Sequence, residues 1–517
     1  MRGGSLFFLV AARLTLSTLS LRSGDEKGDR PSGANFQTRS QVMGLHGAAA
    51  SSHPAVSQAA LDILKSGGSA VDASIAANAV QGLVEPMSNG IGGDLFVLLY
   101  DPKVDELEGY NGSGRSSKTF SYNAMLDEVL FVNGDSEPPL IPTHGPLSVT
   151  IPGAVRGWCD LNAKHGKKSI SELLRPAIKM AREGFPVTEI IAKAWEDALE
   201  DFLSDKSQNE ITLGGKYPNA FDGFLNTFAI KDDNGWRAPK VGEIFVNSDL
   251  ADTYELIAEE GCRGFYEGRI AQSIAEYEPL HITSDDLKSH EGEFIKPVST
   301  HYRGNYEVFE LPPNTQGISA LQMLNILESF NLTEMGQGSA DAIHVQVEAK
   351  KLAFADRAAY FGDPNFYDAP IESLLSKDYG RARAKLIDMK KAAKIVEPGV
   401  FSTVVGNSPS VHAEVIPNDD TIYMTVVDEE GMMVSWIQSL YNHFGSGIVV
   451  GGLGFPLQDR GALYALEPIN HPNVFAENKR PFHTIIPAFV KKDDKPFMSF
   501  GVMVSFVLVT VGMTEDG

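Results

Sequence analysis

The alternation of polar and apolar positions is most informative in PNDDTIYMTVVDEEGMMVSWIQS, residues 417–439. The first four residues, up to Asp420, favour turns and loops. From Thr421 the run TIYMTVV is rich in β-branched and aromatic residues, which predicts a strand. DEEG then predicts a hairpin turn, and MMVSWIQS predicts the returning strand. The pattern therefore predicts a polar, acidic loop that leads directly into a threonine at the start of a buried hairpin.

The N-terminal half shows helical periodicity followed by a buried strand. Apolar residues at helical spacing in PAVSQAALDILKSGG, residues 54–68, predict an amphipathic helix that ends at the glycines. The small residues of SAVDASIAANAVQGLVEP, residues 69–86, predict a second helix that packs closely in the interior. After the glycine loop MSNGIGGD, the apolar run LFVLLYD predicts a buried strand.

Three further helices are predicted downstream. Ser169 and Glu172 have the spacing of a capping box, and Gly184 is a plausible end for the helix that they begin. Residues 341–360 form a second predicted helix, which GDP then breaks. The basic stretch 377–394 is the third.

The C-terminal part changes to strands. Residues 397–420 are predicted to be mostly loop, and HTIIPAFV and PFMSFGVMVSFVLVTV are strand candidates after the hairpin. Mixed α and β elements, with hairpins concentrated near the C-terminal end, favour an α+β layered fold over a doubly wound parallel sheet.

Composition and charge narrow the classes of function. Of the 517 residues 43% are hydrophobic and 21% charged, as in soluble globular proteins. The formal net charge of −23 argues against a nucleic-acid partner, because phosphates need a basic surface. The charge does not exclude a small anionic substrate in a local arginine pocket. Only Cys159 and Cys262 occur, without metal-like spacing, which argues against a disulfide framework and a structural zinc site.

The chain ends bear on localisation. Residues 1–41 are predicted to be a leader or disordered extension, and their short apolar run is a poor signal peptide or a transit-like sequence. We therefore favour a cytoplasmic protein, with secretion as the alternative. The 17-residue segment FMSFGVMVSFVLVTVGM contains serines and lacks a basic stop, so a membrane anchor is not expected.

Thr421 lies where cleavage of the chain would place a free α-amine beside a hydroxyl nucleophile. If the chain were cut between Asp420 and Thr421, the new α-amine, with a pKa near ~8, would lie beside its own hydroxyl. One residue would then supply both a nucleophile and its base. On spacing and composition alone, an ordinary strand start is the simpler interpretation.

Several segments together resemble one family. The matching pieces are SSHPAVSQAALDILKSGGSAVDASIAANAVQGLVEPMSNGIGGDLFVLLYD, VTIPGAVRGWCDLNAKHGK, FYEGRIAQSIAE, YRGNYEVFELPPNTQGISALQMLNILE, ADRAAYFGDP, DDTIYMTVVDEEG, FGSGIVVGGLGFPLQDRGA and KRPFHTIIPAF. Over residues 42–503 the chain resembles the gamma-glutamyltransferase (glutathione hydrolase) family of the N-terminal-nucleophile hydrolase superfamily. Within it, the chain is most similar to the bacterial-type, glutathione hydrolase-like subgroup.

The resemblance implies a fold and a self-processing activity. The implied fold is a four-layer αββα sandwich. An inactive precursor would cleave itself between Asp420 and Thr421 into a large subunit, residues 42–420, and a small subunit, residues 421–517. Thr421 would then take a γ-glutamyl group from a glutathione-like amide and pass it to water or an amino-acid acceptor. No cofactor and no metal are implied.

The resemblance also implies substrate-binding residues. Arg115 in NGSGR matches the arginine that grips the substrate carboxylate, for which its planar fork is suited. A surface loop charge is the alternative. Ser439 falls where the family has a hydroxyl that orients the nucleophile, with a half-buried strand serine as the alternative. Arg460 is a second cation near the pocket, or a charge in an exposed turn.

The chain departs from the family pattern at the amine end of the pocket. Leu463 stands where strict γ-glutamyl enzymes have an acid for the substrate amino group, and Tyr441 replaces an asparagine. His483 and Thr484 replace paired serines and are the predicted substrate contacts there. Another γ-glutamyl or acyl amide is therefore a possible substrate.

The C-terminal end departs as well. Val504-Ser505 replaces the glycine pair that helps to form the oxyanion hole, and the sequence stops soon afterwards, so the small subunit is expected to be incomplete. A non-catalytic homologue with a binding or structural role is the alternative function.

Overall fold

The computed structural model describes residues 42–134, 138–401 and 419–501, with Asp419 and Asp420 described only in their backbone. The chain divides between Leu45 and His46, and the elements below all belong to the unit His46–Gly517. The strands are β1 (Gly47–Ala50), β2 (Asp94–Asp101), β3 (Glu106–Gly112), β4 (Phe185–Pro186), β5 (Ile230–Asp232), β6 (Gly235–Arg237), β7 (Ile244–Phe245), β8 (Glu293–Ile295), β9 (Val298–Tyr302), β10 (Tyr306–Glu310), β11 (Asp419–Asp428), β12 (Met433–Asn442), β13 (Ala488–Lys492) and β14 (Lys495–Phe500).

The helices follow the same numbering by chain order. They are α1 (Pro54–Lys65), α2 (Ala70–Val84), α3 (Tyr122–Asn133), α4 (Ala154–His165), α5 (Ile170–Glu183), α6 (Glu189–Phe202), α7 (Asp205–Ile211), α8 (Asp222–Phe228), α9 (Ser248–Glu260), α10 (Cys262–Tyr266), α11 (Arg269–Ala275), α12 (Ser284–Lys288), α13 (Gly317–Leu327), α14 (Leu332–Met335), α15 (Ala340–Tyr360), α16 (Ile371–Leu375) and α17 (Lys377–Ala384). Short 3₁₀ turns cover Pro146–Ser148 and Arg460–Leu463.

The predicted hairpin of β11 and β12 lies inside the larger sheet of the described residues. The strand order is β1-β11-β12-β2-β3-β8, and each neighbouring pair is antiparallel. Side chains alternate between the two faces of a strand. Ile422 and Met424 accordingly belong to the core shared with the helices, whereas Tyr423 belongs to the core between the two sheets.

The first helix layer is built from small residues. Every residue of α2 is buried, which the alanine-rich sequence permits because small side chains allow close approach. Its first turn carries a capping box between Ser69 and Asp72. The capping box predicted for Ser169 and Glu172 is also present, and Gly184 caps the end of α5.

A second sheet and a second helix layer complete the sandwich. Strands β14, β13, β10 and β9 form an antiparallel sheet in that order. Phe489 and Leu311 pack against Phe96 and Tyr423 between the sheets, and Leu321 of α13 packs on the outer face of the second sheet. The predicted α+β fold with αββα layers is therefore confirmed.

The predicted loop at residues 397–420 ends earlier than expected. Strand β11 begins at Asp419, where the backbone pairs with Asn442, and Asp420 pairs with Tyr441. Cross-strand pairing thus overrides the turn preference of the two aspartates. Residues 402–418 of the predicted loop lie outside the described residues.

The predicted helix at 377–394 is too long, because α17 ends at Ala384. The following backbone bonds to side chains of α15 instead of continuing the helix. The carbonyl oxygen of Asp388 accepts a hydrogen bond from His344 Nε2 at 2.8 Å, and the Ala393 N–H donates to Glu348 Oε2 at 3.1 Å. Tertiary hydrogen bonds have replaced helical ones.

The late strand candidates form only in part. HTIIPAFV is a strand from Ala488 onward, and PFMSFGVMVSFVLVTV is a strand up to Phe500, beyond which the description ends at Gly501. Among the helices of the described residues, none is both long enough and apolar enough to cross a membrane.

The structure contains one disulfide, which the sequence analysis, arguing against a disulfide framework, did not predict. Cys159 and Cys262 form a disulfide with their Cα atoms 6.0 Å apart. The two residues are separated by 103 positions, so their spacing in the sequence carried no sign of the pairing. The bond joins α4 to α10, which also meet through the Tyr266 hydroxyl, the acceptor of the Arg156 N–H.

The double variant Cys159→Ser, Cys262→Ser should be less stable. Closing a long loop restricts the unfolded chain, and the loss typically costs about 2–4 kcal/mol of unfolding free energy. Urea unfolding followed by tryptophan fluorescence measures the difference. Reductant should lower the wild-type midpoint and leave that of the double variant unchanged. Equal wild-type midpoints with and without reductant would contradict the bond.

Candidate active site

The Thr421 hydroxyl lies at the start of the central hairpin and has a defined partner. Thr421 Oγ1 donates a hydrogen bond to Ser439 Oγ at 3.1 Å. Ser439 is fully buried on β12, and its oxygen also accepts the Tyr441 N–H at 2.8 Å. A rigid acceptor fixes the direction of the threonine hydroxyl. The hydrogen bond that the resemblance implies for Ser439 is therefore present.

The backbone around this hydroxyl is irregular on both strands. The β11–β12 register shifts between Asp420 and Ile422, so the interruption includes Thr421. Opposite Asp420, Tyr441 has a φ of 89°, a conformation that bulky residues rarely adopt. Such interruptions and strained backbones concentrate at functional sites.

Asp94 is a buried carboxylate that the sequence analysis did not single out. It begins β2 directly opposite Ser439, and its Oδ1 accepts from Gly114 N and Gln458 Nε2, each at 2.8 Å. Its Oδ2 is 3.0 Å from His483 Nε2. Three loops that carry predicted site residues are thereby attached to one strand end. The only sequence signal was an acid directly after the glycines of GIGGD.

The glycine before this aspartate is required by close packing. A Cβ added to Gly93 would lie 2.3 Å from the carbonyl oxygen of Ser439, which no side chain could tolerate. The glycine loop of the sequence analysis therefore allows close approach of two strands.

His483 is enclosed rather than open to a ligand. It is fully buried, packs edge-on against Phe96 with ring centroids 4.7 Å apart, and is bonded to Asp94. Its Nδ1 accepts the Ile485 N–H at 3.4 Å, so Nε2 carries the proton that Asp94 accepts. Burial, with a further contribution from Arg460, lowers the pKa of His483 to about 4. His483 is accordingly a neutral hydrogen-bond donor at pH 7.

Arg460 is buried within the same group of residues. Its Nη1 donates to Thr484 Oγ1 at 2.7 Å, and its guanidinium carbon lies 4.4 Å from the centroid of the Tyr441 ring. A cation over an aromatic face is favourable, particularly when water is excluded. The alternative of an exposed turn charge is wrong, because Arg460 is fully buried.

The acid next to Arg460 is only partly ionised near pH 7. Asp459 accepts hydrogen bonds from the backbone and side chain of Asn442. Burial nevertheless raises the pKa of Asp459 to about 7, against the opposing effects of Asn442 and Arg460. The negative charge beside Arg460 is therefore reduced near neutral pH.

Arg115 is held by an ionic network. Its Nη1 donates to Asp363 Oδ2 at 3.0 Å and to Asn478 O at 3.1 Å, and its Nη2 to Glu293 Oε1 at 3.3 Å. The alternative of a surface loop charge is wrong, since most of the side chain is buried. Asp363 and Glu293 were missed. Asp363 was noticed only as part of the GDP sequence that ends a helix.

The predicted residues thus fall into two connected groups. Thr421, Ser439, Tyr441, Arg460 and Thr484 form a continuous chain of contacts, beside the pair of Asp94 and His483. Arg115 forms the second group with Asp363 and Glu293, which bind its guanidinium. The two groups are connected through the backbone, because the N–H of Gly114, the residue before Arg115, donates to Asp94.

Three other predicted positions complete the comparison with the sequence. Leu463, half-buried, ends the short Arg460–Leu463 turn. The side chain of Asp420 and the segment Val504-Ser505 lie outside the described residues. The prediction for the oxyanion hole therefore stays a prediction.

The geometry agrees with comparisons against known proteins. Two sheets between helix layers, with a threonine held at the start of a central strand, define the N-terminal-nucleophile hydrolase class. A family model described as Gamma-glutamyltranspeptidase matches residues 56–509. The chain therefore belongs to the gamma-glutamyltranspeptidase family.

Individual relatives cover most of the chain. The glutathione hydrolase-like YwrD proenzyme of Bacillus subtilis (strain 168) is 37% identical over 464 residues, 89% of this chain and 79% of the relative. The glutathione hydrolase proenzyme of Escherichia coli (strain K12) is 31% identical over 508 residues, with coverage of 95% and 81%. A crystal structure of cephalosporin acylase from Bacillus halodurans matches with a TM-score of 0.76 and 35% identity, and the match covers 91% of this chain and 80% of the acylase.

These similarities decide between the two functions considered from sequence. The relatives bear the names of hydrolytic enzymes, and two are named as proenzymes. The prediction of an enzyme of this family is confirmed, and the alternative of a non-catalytic homologue is not favoured.

Replacing His483 should change how stability depends on pH. The unfolded side chain, with a pKa near ~6.5, binds a proton before the folded one does, so acidification from about pH 6.5 to 4 destabilises the fold. His483→Gln removes this loss, which amounts to at most about 1.4 kcal/mol per pH unit. Urea unfolding at several pH values measures the slope. The exposed His301→Gln serves as control, and equal slopes for wild type and His483→Gln would contradict the prediction.

Proposed function

We propose that the chain is a self-processing hydrolase and acyltransferase with Thr421 as nucleophile. The observation that supports this most directly is the Thr421 hydroxyl, bonded to buried Ser439 at the interruption of strand pairing next to the Asp420–Thr421 peptide. A nucleophile needs a fixed direction and an adjacent scissile bond, and this position offers both.

Processing would proceed by attack of the chain on itself. Thr421 Oγ1 forms a bond to the Asp420 carbonyl carbon, its proton passes to the departing Thr421 nitrogen, and the peptide becomes an ester. Water then opens the ester, which leaves a carboxyl on Asp420 and a free amine on Thr421. The products are a large subunit ending at Asp420 and a small subunit beginning at Thr421, both from one precursor.

The released amine makes turnover possible. A neutral α-amine, with a pKa near ~8, accepts the hydroxyl proton as Thr421 Oγ1 attacks the amide of the substrate. The protonated amine then supplies the proton that the leaving amine needs. Water, or an amino acid as acceptor, receives the acyl group from Thr421 in the reverse sequence of proton transfers.

The substrate would be an amide whose acyl part carries a carboxylate. Arg115 and Arg460 provide cations, and the raised pKa of Asp459 leaves that acid only partly ionised near pH 7. Names of relatives point to glutathione-like γ-glutamyl amides and to cephalosporin amides. Leu463 offers no carboxylate to a substrate ammonium group, so γ-glutamyl amides and related acyl amides without the amine both fit the proposal.

The disulfide bears on the compartment. Disulfides persist mainly in oxidising environments. The bond between Cys159 and Cys262 supports maturation on a secretory route, rather than the cytoplasmic location that the N-terminal sequence favours.

Thr421→Ala should abolish processing. The wild-type chain should divide into two fragments on denaturing electrophoresis, and Edman sequencing of the smaller one should begin with TIYMT. The variant should remain at 56.0 kDa, because alanine has no hydroxyl to form the ester. Thr425→Ala, on the same strand, is a matched control that should still be cleaved. Wild-type protein that stays intact, or a variant that is cleaved at this bond, would refute the role of Thr421.

The wild-type enzyme should not require an amine on the acyl group. We expect glutaryl p-nitroanilide, which lacks the amine, to be hydrolysed with a kcat/KM at least equal to that of γ-glutamyl p-nitroanilide. Leu463→Asp should raise the ratio of kcat/KM for the γ-glutamyl anilide to kcat/KM for the glutaryl anilide by roughly tenfold or more. The reason is that the new carboxylate would form a charge-assisted hydrogen bond with the substrate ammonium group. Release of nitroaniline measures both. A strong wild-type preference for the γ-glutamyl anilide would contradict the assignment of Leu463.

A further inference from the structure

Two arginines and two carboxylates meet around the proposed carboxylate pocket. Arg115 contacts both Asp363 and Glu293. Arg480, which is 1% exposed, donates to Glu293 Oε1 at 2.6 Å, and its backbone N–H donates to Asp363 Oδ2 at 2.8 Å. Each carboxylate is therefore shared between the same two arginines.

The two carboxylates differ in burial and in which nitrogen of Arg115 they contact. The Asp363 side chain is fully buried, whereas that of Glu293 is 42% exposed. The two N–H groups of Arg115 Nη1 have partners in Asp363 and the Asn478 carbonyl. A bidentate carboxylate must therefore use the other edge, formed by Nε and Nη2. Glu293 contacts Nη2, which belongs to that edge.

Glu293 has a second partner that is closer than Arg115. The same oxygen, Oε1, lies 3.3 Å from Arg115 Nη2 and 2.6 Å from Arg480 Nη1. Its backbone is fixed at the start of β8, where it pairs with Asn111 of β3. Release of Arg115 would leave the bond to Arg480 in place, so the side chain need not give up all of its ion pairing.

We propose that Glu293 is a specificity-determining residue that competes with the substrate carboxylate for Arg115, while Asp363 positions the guanidinium. This inference rests on the proposed function, in which Arg115 binds the acyl carboxylate. A carboxylate-bearing acyl group displaces Glu293 from Nη2 and takes the Nε–Nη2 edge. Glu293 thereby weakens the binding of such groups, and it leaves the binding of acyl groups without a carboxylate unaffected.

Glu293→Gln should tighten carboxylate binding. A partly exposed ion pair of this kind corresponds to roughly a two- to fivefold change in affinity. Calorimetric titration with glutarate, which needs no turnover, should give a Kd lower by that factor than for wild type. With glutaryl p-nitroanilide the KM should fall similarly and kcat should stay the same. With butyryl p-nitroanilide, which has no carboxylate, neither constant should change.

Matched variants separate local competition from general charge effects. Glu291→Gln removes the same charge two residues away, where Glu291 contributes its backbone oxygen to Arg480, and it should leave glutarate binding unchanged. Arg115→Gln should abolish glutarate binding in both the wild-type and the Glu293→Gln background. An unchanged or weaker affinity of Glu293→Gln, or an equal gain in Glu291→Gln, overturns the inference, as does glutarate binding that survives Arg115→Gln.

The outcome is independent of the test of processing. If the chain is cleaved at Thr421 and Glu293→Gln leaves the glutarate Kd unchanged, the proposed function stands and the competition is refuted. If the chain is not cleaved and Glu293→Gln tightens binding, self-processing is refuted and the competition at Arg115 stands.

Discussion

The site depends on one buried carboxylate at the end of a central strand. Asp94 accepts hydrogen bonds from Gly114, Gln458 and His483 while it lies opposite Ser439, the partner of Thr421. A charge taken out of water is tolerated only where its oxygens are satisfied in this way. The loops that carry Arg115, Arg460 and Thr484 are consequently attached to the same strand end that lies opposite Ser439, the partner of Thr421.

The layers explain why the hydroxyl is rigid. On one face of the hairpin, Ile422 and Met424 pack on the small-residue helices, and on the other Tyr423 packs against the second sheet. Thr421 lies near the start of a strand that is packed on both faces, so it has little conformational freedom.

Local patterns predicted much of the fold, and long-range contacts account for the failures. The capping box of Ser169 and the hairpin after Thr421 involve neighbours in sequence, so their residue types suffice. The bond between Asp94 and His483 joins residues 389 positions apart, and that between Arg115 and Asp363 joins residues 248 apart. Neither pair leaves a periodic signal. The end of α17 at Ala384 likewise depends on contacts with α15.

By itself the sequence determined the class of fold and the family and predicted Thr421 as the nucleophile, because all three follow from residue types in a local order and from a resemblance that spans the chain. Only the tertiary structure decided which charges meet, that His483 is neutral and that Glu293 shares Arg115 with Asp363. Ionisation and ion pairing depend on burial and on distances of a few ångströms, which are set only when the layers are packed together.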